Sequence, residues 1–311
     1  MKVLMISGDK NLLKTGAEAR ERLAIQTAAV EQLDVFVWPQ VHNAWEIMCA
    51  ARKNHYDVVT TQDPFWRGLL GWKIKFWFGA KLNLQVHADL SGQSLVKRML
   101  ARFLLRRADS IRPQSERVAA EIKKFGVKAP INILPVFINP ARVVGVLRTH
   151  HPSFAKTILW IGRFEQEKDP EAAIDVLRQV RETGVDAGLI MLGSGSLEGR
   201  LKRVSSGLPV EFPGWQEPVS YLAMADVVLS TSPYESYGAS IVEALAAGVT
   251  VVSRDVGVAR EAGAIVVPRS ELGNAVIKVL NSGERGELKI SLPSAEEWAR
   301  RWRETLTALP L

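Results

Sequence analysis

The segment from Asp226 to Gly248 constrains this chain most. Asp226-Val227-Val228-Leu229-Ser230 is an apolar run of the kind that forms a strand covered on both faces. A helical pattern begins near Ala239 and stops at Gly248, where glycine accepts the left-handed geometry that ends a helix. Glu235 falls in the loop between them and Glu243 falls early on the helix. Helical side chains tilt toward the N-terminus, so Glu243 points back toward that loop. Open parallel sheets bind ligands at this end of their strands, and the free amides of a first helical turn attract anions. Two carboxylates beside an anion site suit a ligand with both hydroxyls and phosphates, such as a sugar nucleotide. Taken alone, the spacing also fits a loop glutamate plus a first-turn glutamate that complements the helix dipole.

A second strand–loop–helix unit lies upstream, in Thr157-Ile158-Leu159-Trp160-Ile161-Gly162-Arg163-Phe164-Glu165-Gln166-Glu167-Lys168-Asp169-Pro170. Gly162 is read as the strand exit, Asp169 as a cap and Pro170 as the first helical position. Arg163 and Lys168 then flank the loop. Arginine offers a planar fork to phosphate oxygens and lysine a point charge. Two solvated surface cations would look the same.

Taken together these segments resemble the donor domain of glycosyltransferase family 4, whose members have the GT-B fold. The resemblance rests on Gly162-Arg163 to Lys168, Gly193-Ser194-Gly195, Gly214-Trp215, Glu235 to Glu243 and Asp255-Val256-Gly257-Val258-Ala259-Arg260-Glu261, in that order. It covers about half the chain closely and the N-terminal half more loosely. It implies that Arg163 and Lys168 neutralise the donor diphosphate and that Glu235 binds hydroxyls of the transferred sugar. The amides around Tyr237, Gly238, Ala239 and Ser240 would hold sugar and diphosphate. Glu243 would accept from the ribose hydroxyls, and Gly193, Gly195 and Trp215 would border the base. The donor is then a nucleotide sugar, with no metal or other cofactor, and the anomeric configuration is retained.

At 311 residues two domains are expected. The first half alternates strands, at Val3–Ser7, Leu33–Trp38, Val58–Thr61, Leu82–Val86 and Ser110–Pro113, with helices at Ala17–Ala29, Ala44–Lys53 and Leu95–Arg107. The second half repeats this, with strands at Ile158–Ile161, Ala187–Leu192, Val210–Phe212, Val227–Ser230, Val249–Ser253 and Ala264–Val267. Alternation of this kind means parallel sheets with helices on their faces. The expected fold class is α/β, GT-B, two Rossmann-like domains whose sheets face each other across a cleft. Residues 1–145 would form the acceptor-binding domain and 146–293 the nucleotide-sugar domain, with a linker around Asn139 to Lys156. Residues 294–311 open with a capping box of Ser294 and Glu297, and carry Trp298 and Trp302 on one helix face. The resemblance implies that this helix crosses back to the first domain; covering its own domain is the alternative.

In the first domain His87 follows a strand, in Gln85-Val86-His87-Ala88-Asp89. The resemblance places a histidine here near the transferred sugar, with Asp89 a weaker candidate. The first loop departs from the family's glycine pair: only Gly16, beside Thr15, precedes the helix. Phe65 to Phe78 mixes aromatic residues with cations, and Lys97-Arg98 to Arg106-Arg107 adds a second cationic stretch. Either the domain docks on an anionic membrane and takes a lipid-linked acceptor, or this is a core helix with solvated cations.

Charge is uneven. Through His150 there are 23 Lys+Arg and 12 Asp+Glu, and beyond it 17 and 21. A basic first half points to an anionic surface or partner. The single Cys49 excludes an internal disulfide and is expected as a small buried residue on a helix. No signal peptide or membrane span is legible, so a cytoplasmic protein, peripheral to the membrane at most, is expected. No nucleic-acid recognition motif, zinc cysteine cluster or Asp-x-Asp is present. Gly193-Ser194-Gly195-Ser196-Leu197-Glu198-Gly199 is not a dinucleotide fingerprint, because its third glycine comes one place late. The expected function is transfer of a sugar to an acceptor hydroxyl in cell-envelope glycan or glycolipid assembly. The alternatives are a non-catalytic nucleotide-sugar or membrane-binding protein, or a sugar-nucleotide epimerase.

Overall fold

Apolar runs at Lys2–Ser7 (β1), Gln32–Val37 (β2), Val58–Thr61 (β3), Lys81–Val86 (β4) and Ser110–Pro113 (β5) pair in parallel, in the order β2-β1-β3-β4-β5. The computed structural model describes residues 1–9, 12, 18–151 and 153–307. Two compact units divide the chain: Met1–Phe137 with Pro293–Leu311, and Ile138–Leu292.

In the first unit α1 (Glu18–Ala28), α2 (Ala44–Asn54), α3 (Trp66–Phe78) and α4 (Leu95–Leu105) connect successive strands, and α5 (Glu116–Lys123) follows β5. The two-residue alternation of β1 feeds two cores. Leu4 and Ile6 pack with Ile47, Ile74 and Leu104, while Val3 and Met5 pack with Leu134, Phe137, Trp298 and Trp302. The C-terminal helix, Ala295–Thr307, therefore supplies the second core of this unit. Trp298 and Trp302 are fully buried, and Trp298 Nε1 donates to the Pro135 carbonyl at 2.9 Å. Ser294 Oγ accepts from the Glu297 amide at 3.1 Å, as a capping serine does.

Cys49 corrects one expectation. It is exposed, because α2 buries Ile47 and Ala51 and turns the intervening Cys49 outward. Helix α5 was not among the expected elements; Ser115 caps it by accepting from the Val118 amide at 3.4 Å.

The second unit contains β6 (Lys156–Ile161), β7 (Ala187–Leu192), β8 (Val210–Gly214), β9 (Val227–Ser230), β10 (Thr250–Ser253) and β11 (Ile265–Val266), all parallel. Its helices are α6 (Pro140–Val143), α7 (Glu171–Glu182), α8 (Glu198–Val204), α9 (Val219–Met224), α10 (Ala239–Ala246), α11 (Ala259–Ala262) and α12 (Leu272–Ser282). The strand order is β11-β10-β9-β6-β7-β8. The chain winds one way from β6 through β7 to β8, then returns to the other side of β6 with β9. The topological switch point thus lies between β6 and β9, where an open parallel sheet leaves a crevice at its carboxyl edge. The division after Phe137 precedes the 145/146 boundary read from composition, because α6 packs against α10 of the second unit.

Asp169 does not cap α7. It adopts a left-handed φ of 48°, and its carboxylate accepts from Arg269 Nε at 2.7 Å. Helix α7 starts from Pro170 without a side-chain cap. Among the described residues no helix is long and apolar enough to cross a membrane.

Candidate functional site

The loops leaving β6 and β9 meet at the switch point through a short chain of hydrogen bonds. Trp160 is 2 % exposed, and its Nε1 donates to Thr231 Oγ1 at 2.8 Å. Thr231 Oγ1 in turn donates to the Lys168 carbonyl at 2.9 Å. A buried hydroxyl thus fixes the turn that carries Lys168. Lys168 Nζ and Glu235 Oε1 form an ion pair at 2.5 Å, with side chains 18 % and 20 % exposed. Two candidate residues 67 positions apart are brought into contact by the sheet order. Their charges are held mostly out of water, so each interacts more strongly with a ligand than a surface group would.

Beside this pair, Gly238 takes a left-handed φ of 90° and α10 begins without a capping side chain. The Ile241 and Val242 amides turn back to the Gly238 carbonyl. Ala239 and Ser240 stand at the open first turn, where amides and helix dipole favour an anion. Tyr237 is buried; burial, then the Glu243 charge, pushes its hydroxyl up to about 12. Glu243 is itself buried, at 7 % exposure. The Tyr237 carbonyl accepts from the Val258 amide at 3.0 Å. A Cβ at Gly257 would lie 2.1 Å from that same carbonyl, so this approach requires glycine.

The β7 exit loop is joined to the β6 exit. The Gly162 amide donates to the Leu192 carbonyl at 3.0 Å and the Phe164 amide to the Ser194 carbonyl at 2.9 Å. A Cβ at Gly193 would sit 1.9 Å from the Gly162 carbonyl oxygen, and one at Gly195 2.6 Å from that of Phe164. Both glycines therefore allow close backbone approach. Glu165, not singled out in the sequence, accepts from the Ser196 amide at 2.9 Å and from Ser196 Oγ at 2.6 Å. The Gly193 amide donates to the Gly214 carbonyl at 2.9 Å, so the exposed Trp215 adjoins this loop. Arg163 does not join the Lys168–Glu235 ion pair. It is 69 % exposed and bridges Glu167 at 2.7 Å.

In the first unit His87 stands at the carboxyl end of β4 on a buried polar ladder. Arg112 Nη1 donates to Gln85 Oε1 at 3.2 Å, and Gln85 Nε2 donates to Thr60 Oγ1 at 2.9 Å. Thr60 Oγ1 donates to Asn83 Oδ1 at 2.7 Å, and Asn83 Nδ2 donates to the Thr305 carbonyl at 2.9 Å. His87 Nε2 lies 3.2 Å from both Gln85 Oε1 and Gln114 Nε2. With Nε2 engaged, Nδ1 is the ring atom without a hydrogen-bond partner among the described residues. Burial, then the charges of Arg112 and Arg22, lowers His87 to about 3, so its imidazole is neutral at physiological pH. Gln85, Arg112 and Gln114 escaped the sequence reading. The trace of Gln85 was the alternation Leu82-Asn83-Leu84-Gln85-Val86, polar at every second place in a run that is buried throughout. Asp89 is committed to its own turn, accepting from the Ser91 and Gly92 amides. Gly16 and Thr15 lie outside the described residues.

Two family models match. "Glycosyl transferases group 1" matches residues 155–282 and "Glycosyltransferase Family 4" residues 17–142. The GDP-mannose-dependent alpha-(1-6)-phosphatidylinositol dimannoside mannosyltransferase of Mycobacterium tuberculosis is 31% identical over 196 residues, 59% of this chain and 51% of that protein. The alpha-monoglucosyldiacylglycerol synthase of Streptococcus pneumoniae is 25% identical over 237 residues, 65% of this chain and 53% of that protein. The chain thus spans about half the length of the curated relatives it matches. Among solved structures, Anabaena Alr3699/HepE in complex with UDP and glucose superposes with a TM-score of 0.74 at 17% identity, covering 99% of this chain and 100% of that one. That likeness concerns the fold, two parallel sheets with helices on their faces. With one family model on each half and a two-sheet GT-B architecture, the chain belongs to the group 1/family 4 glycosyltransferases.

Proposed function

We propose that this chain moves a sugar from a nucleoside-diphosphate donor to an acceptor hydroxyl, with retention at the anomeric carbon. The observation that carries this reading is the Lys168–Glu235 pair at the β6/β9 switch point, beside the uncapped start of α10. An anionic diphosphate competes with Glu235 for Lys168 and takes up the Ala239 and Ser240 amides. Glu235, released from the lysine, accepts hydrogen bonds from sugar hydroxyls. Glu243 takes the ribose hydroxyls, while the Gly193–Gly195 loop and Trp215 border the base. Arg163, exposed at the mouth, adds charge for the phosphates by leaving Glu167.

In the transfer step the bond between the anomeric carbon and the diphosphate oxygen breaks, and the nucleoside diphosphate leaves with the electron pair. The acceptor oxygen attacks the same face and forms the new glycosidic bond. Its proton passes to the departing phosphate oxygen. Lys168 and the α10 amides stabilise the charge that develops on that oxygen. Neutral His87 offers Nδ1 to a hydroxyl. The lipid-directed names of the two relatives support a lipid-linked acceptor, and we place the protein peripherally at an anionic membrane.

The test is nucleotide release from a panel of sugar nucleotides, with and without a lipid-linked acceptor extract. Release from one donor that depends on acceptor and disappears in Glu235→Ala establishes the transferase and names its donor. Donor binding with no turnover favours a binding protein; turnover without acceptor favours an epimerase.

A further inference from the structure

Helix α4 leaves an unusual surface on the first unit. Its residues include Lys97, Arg98 and Arg102, followed by Arg106 and Arg107, and no acid. Its first turns hold Leu95, Val96 and Met99 in the open, at 71 %, 66 % and 64 % exposure. At helical spacing Leu95, Met99, Arg102 and Arg106 share one outward stripe, apolar at its start and cationic at its end. An exposed apolar cluster beside cations is the composition of an interfacial helix.

Between α4 and α5 lies a crevice of about 380 Å³. Arg98, Arg102 and Lys124 line it, together with Leu95, Met99 and Phe125. Among the described residues none of these three cations has an ion-pair partner. Among the described residues Glu121 is the one acid lining the crevice, and its buried Oε2 has no hydrogen-bond partner there. Burial and the neighbouring Asp89 push the pKa of its carboxyl up. The surface continues onto α3. Phe103 meets Trp72 edge-on at 5.2 Å, Trp72 stacks on Phe76 at 5.9 Å, and Phe76 is 71 % exposed.

We infer that the α4–α5 crevice is a headgroup site for an anionic phospholipid, and that α4 seats the first unit on the bilayer. The lipid phosphate lies among Arg98, Arg102 and Lys124. Leu95, Val96 and Met99 enter the acyl boundary. A soluble anion would use the cations and leave the apolar stripe wet. A neutral bilayer would cover the stripe and leave the cations unpaired. Only an anionic lipid surface satisfies both. The inference deepens the membrane contact proposed above and rests on that part of it; the donor chemistry of the second unit is separate.

The experiment is co-sedimentation with phosphatidylglycerol–phosphatidylcholine vesicles and with pure phosphatidylcholine vesicles. It compares the full chain, Arg98→Gln/Arg102→Gln, Leu95→Ser/Met99→Ser and a control, Lys53→Gln, on α2. A thermal shift with sugar nucleotides on each sample reads folding and donor binding separately. The expected result is binding to the anionic vesicles only. Loss of the two cations weakens it roughly 30-fold, at about 1 kcal/mol for each. Loss of the apolar pair weakens it about tenfold, and the control and all donor shifts stay unchanged. Arg98→Lys/Arg102→Lys retains most of the binding, since charge rather than a fork is needed. Equal binding by folded Gln or Ser variants overturns the assignment of α4. Absence of vesicle binding in the full chain overturns the docking itself, while an intact donor shift leaves the transferase reading standing. Vesicle binding as expected without any donor shift supports the docking and sinks the donor reading.

Discussion

Lys168 and Glu235 form a 2.5 Å ion pair across the two strands at which the second sheet reverses its order. Each side chain is about four-fifths buried, so each compensates the charge of the other. A pair of this kind contributes little net stability compared with an apolar replacement, yet removing one partner strands a charge. It also holds the two side chains together at the same mouth.

Single substitutions should therefore separate from the double. Lys168→Met and Glu235→Leu each lower stability by about 1–3 kcal/mol, while the double variant recovers most of that loss. All three lose sugar transfer. Urea unfolding and nucleotide release measure the two effects. Near-normal transfer in any folded single variant would remove these residues from the site.

The glycine contacts set a second prediction. At Gly193 and Gly257 a Cβ would press on backbone oxygen, and both have positive φ, of 145° and 51°. Gly193→Ala and Gly257→Ala should each cost about 2–4 kcal/mol and weaken nucleotide binding. Gly207→Ala is the comparison. Its φ is 79° and nothing lies within 4 Å, so it should cost only about 1 kcal/mol. Equal losses at the three positions would show that close approach is not what the first two glycines serve.

The buried ladder beneath His87 makes stability depend on acid. His87 is lowered to about 3 in the fold and returns to its ordinary value near 6.5 when unfolded. The unfolded chain therefore binds the extra proton first. The stabilisation is complete above about 6.5 and is lost as pH falls toward 3. His87→Asn should flatten the slope of melting temperature against pH in that window. Arg112→Gln removes the second largest cause of the shift, so the His87 resonance should titrate at higher pH in an NMR titration. An unshifted His87 in the wild-type protein would contradict the ladder.

The C-terminal helix offers a test of the first unit alone. Trp302 is fully buried among Val3, Met5 and Val58, so Trp302→Ala should cost about 3–5 kcal/mol. Ser294→Ala removes only a cap and should cost about 1 kcal/mol. Chemical unfolding followed by tryptophan fluorescence distinguishes them. A small loss at Trp302 would mean that the helix does not complete this core.

Much of the fold was legible because parallel strands buried on both faces leave continuous apolar runs. Val58–Thr61, Ala187–Leu192 and Val227–Ser230 stand within the bounds read from sequence. Less was legible where side chains decide. Asp169 suits a cap by residue type, but the chain there turns left-handed and Arg269 takes the carboxylate. The chemistry of Cys49 suits burial, whereas the rotation of α2 sets its exposure.

By itself the sequence determined local matters: strand and helix type and the glycines at tight exits, and it offered Lys168, Glu235 and Glu243 as candidates. Those follow from periodicity and residue chemistry over a few neighbours. Only the tertiary structure decided that Lys168 pairs with Glu235 while Arg163 pairs with Glu167. Only it assembled Thr60, Gln85, Arg112 and Gln114 around His87 from three strands and the turn after β5. Such contacts depend on strand order and register, which join residues distant along the chain and leave no spacing to read.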